Sequence, residues 1–396
     1  MLFEFATAGR ILFGPGQIRG LPALAMELGG RAALITGSSA ERIAPVFQAL
    51  EEAGVRPAAF SIAEEPTTER IAAIAAQARG QACDFVVAFG GGSVIDAGKA
   101  VAALLTNTRD LMDYLEVIGK GEPLLNDPAP CIAIPTTAGT GAEVTRNAVL
   151  LSEEHRVKVS MRHPGMLPTV ALVDPELTLS MPPEVTAATG LDALTQLIEA
   201  FVSIKANPMT DGICREGLRY IARSLHRAYS HGDDLDARTD MALGSLFGGL
   251  ALANAGLGAV HGFAGPIGGM YRAPHGMVCA SLLPAASQIN IQALQERDPG
   301  HPSRAKYQEI IRIVTGSPDA DFRDGIAWIE ETCVQLRVPG LEAFGIREEH
   351  FPEIIAKAKN ASSMKGNPIA LTDHELEQIL YIALTDIVSG NDPLYL

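Results

Sequence analysis

His261 and His275 stand fourteen residues apart in VHGFAGPIGGMYRAPHG (260–276), a glycine-rich stretch without a single acid. The chain has nine histidines in all, so two in such a setting pose a choice. Either they are buried polar residues with ordinary partners, or both face one ligand. A carboxylate upstream bears on that choice. In GLDALTQLIEAFVS, Asp192 and Gln196 are four apart, which on a helix places them on one face. Asp192 falls in the first turns of that helix among apolar neighbours, where an unpaired charge is costly. A cation resolves the cost. One carboxylate oxygen and two imidazole nitrogens suit a borderline divalent metal such as Fe2+ or Zn2+. Gln196 adds a carbonyl oxygen, a weaker donor than an imidazole. Glu199 falls on a neighbouring helix face and reads as a salt-bridge or interface residue. The remaining histidines, at 155, 163, 226, 231, 301, 350 and 374, lie in polar or turn-like contexts and read as surface or structural.

Two other stretches have the composition of a phosphate cradle. In DFVVAFGGGSVIDAGKAVAALL an apolar strand runs into Gly90, Gly91 and Gly92, and Ser93 is placed to cap a helix carrying Asp96 and Lys99. Glycines let a backbone approach a ligand closely, and amides at a helix N-terminus attract phosphate oxygens. A tight strand-to-helix turn has the same composition, and GGGS is not the GxGxxG fingerprint. In CIAIPTTAGTGAEVTRNAVL a second strand ends in Thr136, Thr137, Gly139 and Thr140, small and hydroxylated residues that serve either as turn caps or as ligand contacts. In open α/β sheets ligands sit beyond the carboxyl ends of strands, so two such loops can grip one phosphate-bearing molecule.

The elements that must position these residues follow from apolar runs. RAALIT (31–36), DFVVAFG (84–90), CIAIP (131–135) and TVALVD (169–174) are short and nearly continuous, as for strands buried on both faces. ERIAPVFQALEEAG and TTERIAAIAAQARG carry helical spacing between the first two. This βαβ rhythm predicts an α/β domain with a parallel sheet over residues 1–180. From MPPEVTAATG onward, helical periodicity predicts an all-helical domain over 181–396, with proline opening its first helix.

At 396 residues the chain is long enough for two cores. It is 47% hydrophobic and 19% charged, a globular profile. A net charge of −15 argues against nucleic acid or an anionic membrane as partner. No apolar run has the length of a membrane span, and the N-terminus lacks the apolar core of a signal peptide. Five cysteines without framework spacing read as buried thiols of a reducing compartment, so a cytoplasmic protein is expected.

FGGGSVIDAGKA, PTTAGTGAEVTRNAVL, VDPELTLSMPPEVTAATGLDALTQLIEAFVS and the VHG…APHG segment occur in order, and together they resemble the iron-containing (group III) alcohol dehydrogenases. The likeness runs from AGRILFGPG to GNPIALTDHELEQIL. It implies a dehydroquinate synthase-like architecture: a nucleotide-binding N-terminal domain, a helical metal-binding domain, and a cofactor lying across the cleft. It implies contacts to that cofactor from Gly90 to Ser93, Asp96, Thr136, Thr137, Thr140 and Lys158, and a metal bound by Asp192, position 196, His261 and His275. The resemblance also implies a homodimer or larger homo-oligomer, the common state of such relatives, acting on a small alcohol or carbonyl compound.

Two positions depart from the pattern. Gln196 stands where the family has a histidine, and Gly265 where many members have another. The sister glycerol dehydrogenases resemble a three-ligand arrangement of one aspartate and two histidines, so a metal is still expected. Gly265 removes a proton relay and enlarges the pocket. After AALIT, NAD-preferring relatives carry an aspartate, whereas this chain has Gly37, Ser38 and Ser39, with Arg42 on the next turn. Without that carboxylate a 2′-phosphate is not repelled, so NADP is accommodated and NAD remains open. The expected activity is NAD(P)-linked interconversion of an alcohol and its aldehyde or ketone. The alternative is a non-catalytic nucleotide-binding member of the same fold with a degenerate metal site.

Overall fold

The structure, a computed structural model, describes residues 2–386. The last ten residues of the 181–396 range lie outside those described. The chain divides into two compact units. One comprises Ala6–Thr137 with Gly141–Leu179, and the other Ser180 onward together with Ala138–Thr140 and the N-terminal segment through Phe5.

The elements of the first unit, in order, are β1 (Arg10–Phe13), α1 (Leu21–Leu28), β2 (Arg31–Thr36), α2 (Ala40–Glu52), β3 (Arg56–Ser61), α3 (Thr68–Gly80), β4 (Phe85–Gly90), α4 (Gly92–Thr106), α5 (Leu111–Tyr114), β5 (Cys131–Pro135), β6 (Asn147–Ser152), β7 (Val157–Arg162) and β8 (Val170–Val173). Six strands pair in parallel in the order β1-β8-β5-β4-β2-β3. The four expected strands are present, and β2, β4 and β5 are almost wholly buried, which is why their sequences are continuously apolar. Two further parallel strands, β1 and β3, form the sheet's edges and are only partly buried, so their sequences lack a continuous apolar run. The antiparallel hairpin β6–β7, a separate two-stranded sheet, was not expected.

After β3 the chain returns to the other side of β2, so the order reverses between β2 and β4. The carboxyl ends of strands flanking such a switch point are where a ligand finds a crevice. Register aligns those ends: Thr36 pairs with Phe89, and Gly90 with Pro135. Gly37, Gly91 and Thr136 therefore begin neighbouring loops at one end of the sheet.

The second unit contains α6 (Pro183–Val202), α7 (Pro208–Ser230), α8 (Leu235–Ala255), α9 (Ala259–Tyr271), α10 (His275–Arg297), α11 (Pro302–Thr315), α12 (Phe322–Gln335), α13 (Phe351–Asn360) and α14 (Asp373–Ile382). Pro182 and Pro183 open α6, where a proline ring suits the first turn. The helices surround one apolar core. α10 is long and apolar enough to cross a membrane, but 83% of that stretch is buried within the protein, as befits a core helix.

Candidate metal centre and nucleotide loops

The residues singled out as metal ligands come from three helices of the second unit. Asp192 lies mid-way along α6, as its tenth residue rather than in its first turns. His261 sits in the first turn of α9, and His275 is the first residue of α10. The three side chains converge. Asp192 Oδ1 is 3.3 Å from His261 Nε2 and 3.7 Å from His275 Nε2, and the two imidazole centroids are 5.4 Å apart.

The donor chemistry fits a divalent cation. Metal bonds of about 2.0–2.1 Å at tetrahedral angles separate neighbouring nitrogen and oxygen donors by about 3.3 Å. Asp192 is buried, and its Oδ1 has no hydrogen-bond partner. An orphaned carboxylate oxygen facing two imidazole nitrogens is a strong indication that something else completes its shell.

Gln196, one turn beyond Asp192, donates from Nε2 to Asp192 Oδ2 at 3.0 Å. Its own Oε1 is buried without a partner and faces α8, where a Cβ at Gly248 would lie 2.8 Å from it. The amide thus holds the aspartate from the side and leaves Oδ1 turned to the histidines.

Glu199 is an ion-pairing residue, as its sequence position suggests, and its partner is His261. It is buried, and its Oε2 accepts a hydrogen bond from His261 Nδ1 at 2.7 Å while Oε1 accepts one from the Val260 amide at 2.7 Å. A carboxylate can only accept here, so Nδ1 carries a proton, and Nε2 is the nitrogen left to ligate a metal when one displaces any proton there. Cys279 is more than an ordinary buried thiol. It lies one turn beyond His275 on α10, with Sγ 3.8 Å from His261 Nε2 and 3.7 Å from His275 Nε2. The signal for it was the HxxxC spacing in HGMVC. One ligand atom from each of Asp192, His261, His275 and Cys279 falls within 4.8 Å of all the others.

The charges couple strongly. Burial alone would raise Asp192, yet its imidazole neighbours hold its carboxyl below the usual range. Burial alone would lower His261, but Cys279, Asp192 and Glu199 lift it well above an ordinary histidine. His275 is raised chiefly by Cys279.

Close approaches at two glycines fix the helices that carry these groups. A Cβ at Gly276 would stand 2.2 Å from the Ala188 carbonyl oxygen of α6, and one at Gly258 would stand 2.9 Å from Glu199 Oε1. Neither position has room for a methyl group. Gly265, on α9, has open space around it.

In the sheet unit, the glycine turn joins β4 to α4. Gly91 takes the N-cap position and Gly92 begins the helix, so Ser93 lies inside it and its hydroxyl caps nothing. None of the three glycines has a positive φ. Gly90 is required instead for packing, since a Cβ there would meet Val94 at 2.7 Å. The Thr136 amide donates to the Gly90 carbonyl at 2.9 Å, and Thr137 lies 3.5 Å from the Cβ position of Gly91, so the two loops adjoin. Thr140 belongs with the helical unit.

Asp96 points elsewhere: it accepts from the Val149 amide at 3.0 Å and pairs with Lys99 at 2.8 Å, pinning the hairpin to α4. Lys158, on β7, pairs with Glu65 at 2.9 Å. Ser39 occupies the N-cap of α2, but its side chain makes no capping bond. Gly37 and Ser38 precede it at the end of β2, and Arg42 donates to the Leu177 carbonyl at 2.7 Å. Of the other histidines, His163 and His301 cap local turns, and His155 bonds Ser152.

Comparison with known proteins accords with this arrangement. Residues 8–175 match the iron-containing alcohol dehydrogenase family, and residues 186–384 match the C-terminal region of the Fe-containing alcohol dehydrogenase family. The chain is 34% identical to 1,3-propanediol dehydrogenase of Klebsiella pneumoniae over 391 residues, 96% of this chain and 98% of that one. A crystal structure of 1,3-propanediol oxidoreductase superposes with a TM-score of 0.88 at 34% identity, covering 97% of this chain and all of the other. Sulfoacetaldehyde reductase from Bifidobacterium kashiwanohense, solved in complex with NAD+, gives 0.85 at 28% identity, covering 99% of this chain and 100% of that one. With matches across both of its units, the chain belongs to the iron-containing alcohol dehydrogenase family.

Proposed function

We propose that the protein is a metal-dependent, NAD(P)-linked oxidoreductase that interconverts a small alcohol and its aldehyde or ketone. The observation that carries this reading is the buried, partnerless Asp192 Oδ1 between His261 Nε2 and His275 Nε2. Asp192, His261 and His275 would hold a divalent cation. When bound, that cation supplies Lewis-acid polarisation of the substrate oxygen, worth several kcal/mol of charge stabilisation. A bound nicotinamide would bring hydride-transfer chemistry to the site.

The chain's own residues do the rest. Glu199 keeps the His261 proton on Nδ1, so that Nε2 remains a donor. Gln196 steadies Asp192. The helical scaffold keeps bulk water from the carboxylate, which strengthens every charge interaction at the site. For the nucleotide, the first turn of α4 offers amides to the phosphates, and the loops after β2 and β5 contribute Gly37, Ser38, Ser39, Thr136 and Thr137. Residues 1–180 serve as the nucleotide domain and 181–396 as the metal and substrate domain. Open space at Gly265 suits substrates bulkier than the simplest alcohols. The built donor set argues against a non-catalytic nucleotide-binding member of the fold.

Alanine at Asp192 or His261 tests this. Turnover of aldehydes with NADH or NADPH should vanish in either variant, while titration shows that dinucleotide binding survives. Parent-like rates in both would overturn the metal's role.

A further inference from the structure

The sequence pattern leaves the metal one donor short, because Gln196 stands where the family has an imidazole. We infer that Cys279 supplies the missing donor, as a thiolate, giving a four-residue shell of Asp192, His261, His275 and Cys279. The inference rests on the metal reading above and extends it.

Geometry is the first support. A metal–sulfur bond of about 2.3 Å and a metal–nitrogen bond of about 2.05 Å at the tetrahedral angle separate the two donors by about 3.6 Å. Cys279 Sγ stands 3.8 Å from His261 Nε2 and 3.7 Å from His275 Nε2. The carboxylate edges, at 3.3 and 3.7 Å, match the corresponding oxygen–nitrogen spacing. Four of the six donor–donor spacings therefore suit one shared ion, and the remaining two lie within 4.8 Å; expansion to a fifth position would admit the substrate oxygen.

The second support is the orphaned Asp192 Oδ1, buried and aimed into the same space. The third is Gln196, whose amide has turned away. Its Nε2 is committed to Asp192 Oδ2, and its Oε1 lies against α8. One turn of α10 separates Cys279 from His275, so the two project from one face of a single helix. Loss of a donor on α6 is thus offset by a donor on α10. A thiolate and a carboxylate with two neutral imidazoles leave a divalent ion electrically balanced. The sulfur also moves the set toward thiophilic ions such as Zn2+.

Cobalt(II) titration into the metal-stripped full-length protein tests the assignment, because a thiolate ligand adds a sulfur-to-cobalt charge-transfer band in the near ultraviolet to the visible ligand-field bands. The parent should show both. Cys279→Ser should lose the charge-transfer band and bind cobalt more weakly by at least the roughly 10–100-fold that loss of an outer-shell partner costs. Cys83→Ser, at a thiol of the sheet unit, should keep both band and affinity. Stoichiometric cobalt with ligand-field bands and no sulfur band in the parent would overturn the role of Cys279 while leaving the metal site standing. Failure of the parent to bind cobalt at all would overturn the metal reading itself, and this inference with it. The parent spectrum decides the matter even where Cys279→Ser fails to fold.

Discussion

Glu199→Gln isolates the contribution of one proton position. In the parent, both carboxylate oxygens accept: Oε1 from the Val260 amide and Oε2 from His261 Nδ1, each at 2.7 Å. The variant keeps the shape but has only one accepting atom. Its carbonyl oxygen stays with the Val260 amide, at 2.7 Å the shorter of the two backbone N–H bonds to this carboxylate, the other being from the His261 amide to Oε2 at 3.4 Å. The NH2 then faces His261 Nδ1, which becomes an acceptor, and the imidazole proton moves to Nε2. That nitrogen is the one pointing at Asp192 Oδ1, 3.3 Å away, and it loses the lone pair a metal requires. Loss of such an outer-shell partner typically weakens metal affinity about 10–100-fold, or about 1.4–2.7 kcal/mol. The metal-free protein should melt near the parent's temperature, because the relocated proton can serve the orphaned Asp192 oxygen. The stabilisation added by saturating zinc or cobalt should shrink by the same 1.4–2.7 kcal/mol, roughly. Chelator competition read alongside thermal melts measures both quantities. A cobalt affinity within about twofold of the parent would refute the tautomer argument.

Two further perturbations address the sheet unit. Lys99, fully buried, donates to the Ala142 carbonyl, Thr145 Oγ1 and the Asn147 carbonyl, and pairs with Asp96. Lys99→Met strands these acceptors and should cost about 3–5 kcal/mol in urea unfolding; a loss below about 1 kcal/mol would contradict that role. Burial pushes the Glu143 carboxyl up from 4.5 to about 7. The unfolded chain ionises first, so stability is full below about pH 4.5 and falls as pH rises to about 7, by roughly 3 kcal/mol. Glu143→Gln should flatten this part of the melting-temperature profile, and parallel profiles for the two proteins would exclude Glu143 as its source.

What the sequence discloses depends on whether a signal is local. β2, β4 and β5 announce themselves because burial on both faces demands unbroken apolar runs. β1 and β3 lie at sheet edges, where RILF and RPAAFS mix polar and apolar residues and no such demand exists. Asp192, His261 and His275 stand out because acids and imidazoles are rare in apolar surroundings. Glu199 and Cys279 acquire meaning only when α6, α9 and α10 cross, and neither a period of 3.6 nor a residue count encodes that crossing. Ser93 illustrates the opposite failure. Its type favours a cap, but the turn is one residue tighter than composition suggests, and Gly91 takes the position.

The absence of side chains at Gly276 and Gly258 means that α10 and the start of α9 rest directly on α6, main chain or ligand-orienting carboxylate first. Helix spacing at Gly276 is gauged by hard backbone contact, and at Gly258 by the buried side chains of Glu199 and Asn367. A frame of that stiffness tolerates exchange of the groups it carries far better than any change in its own dimensions. A donor can be retired on one helix and replaced from another while the seat for the ion keeps its size.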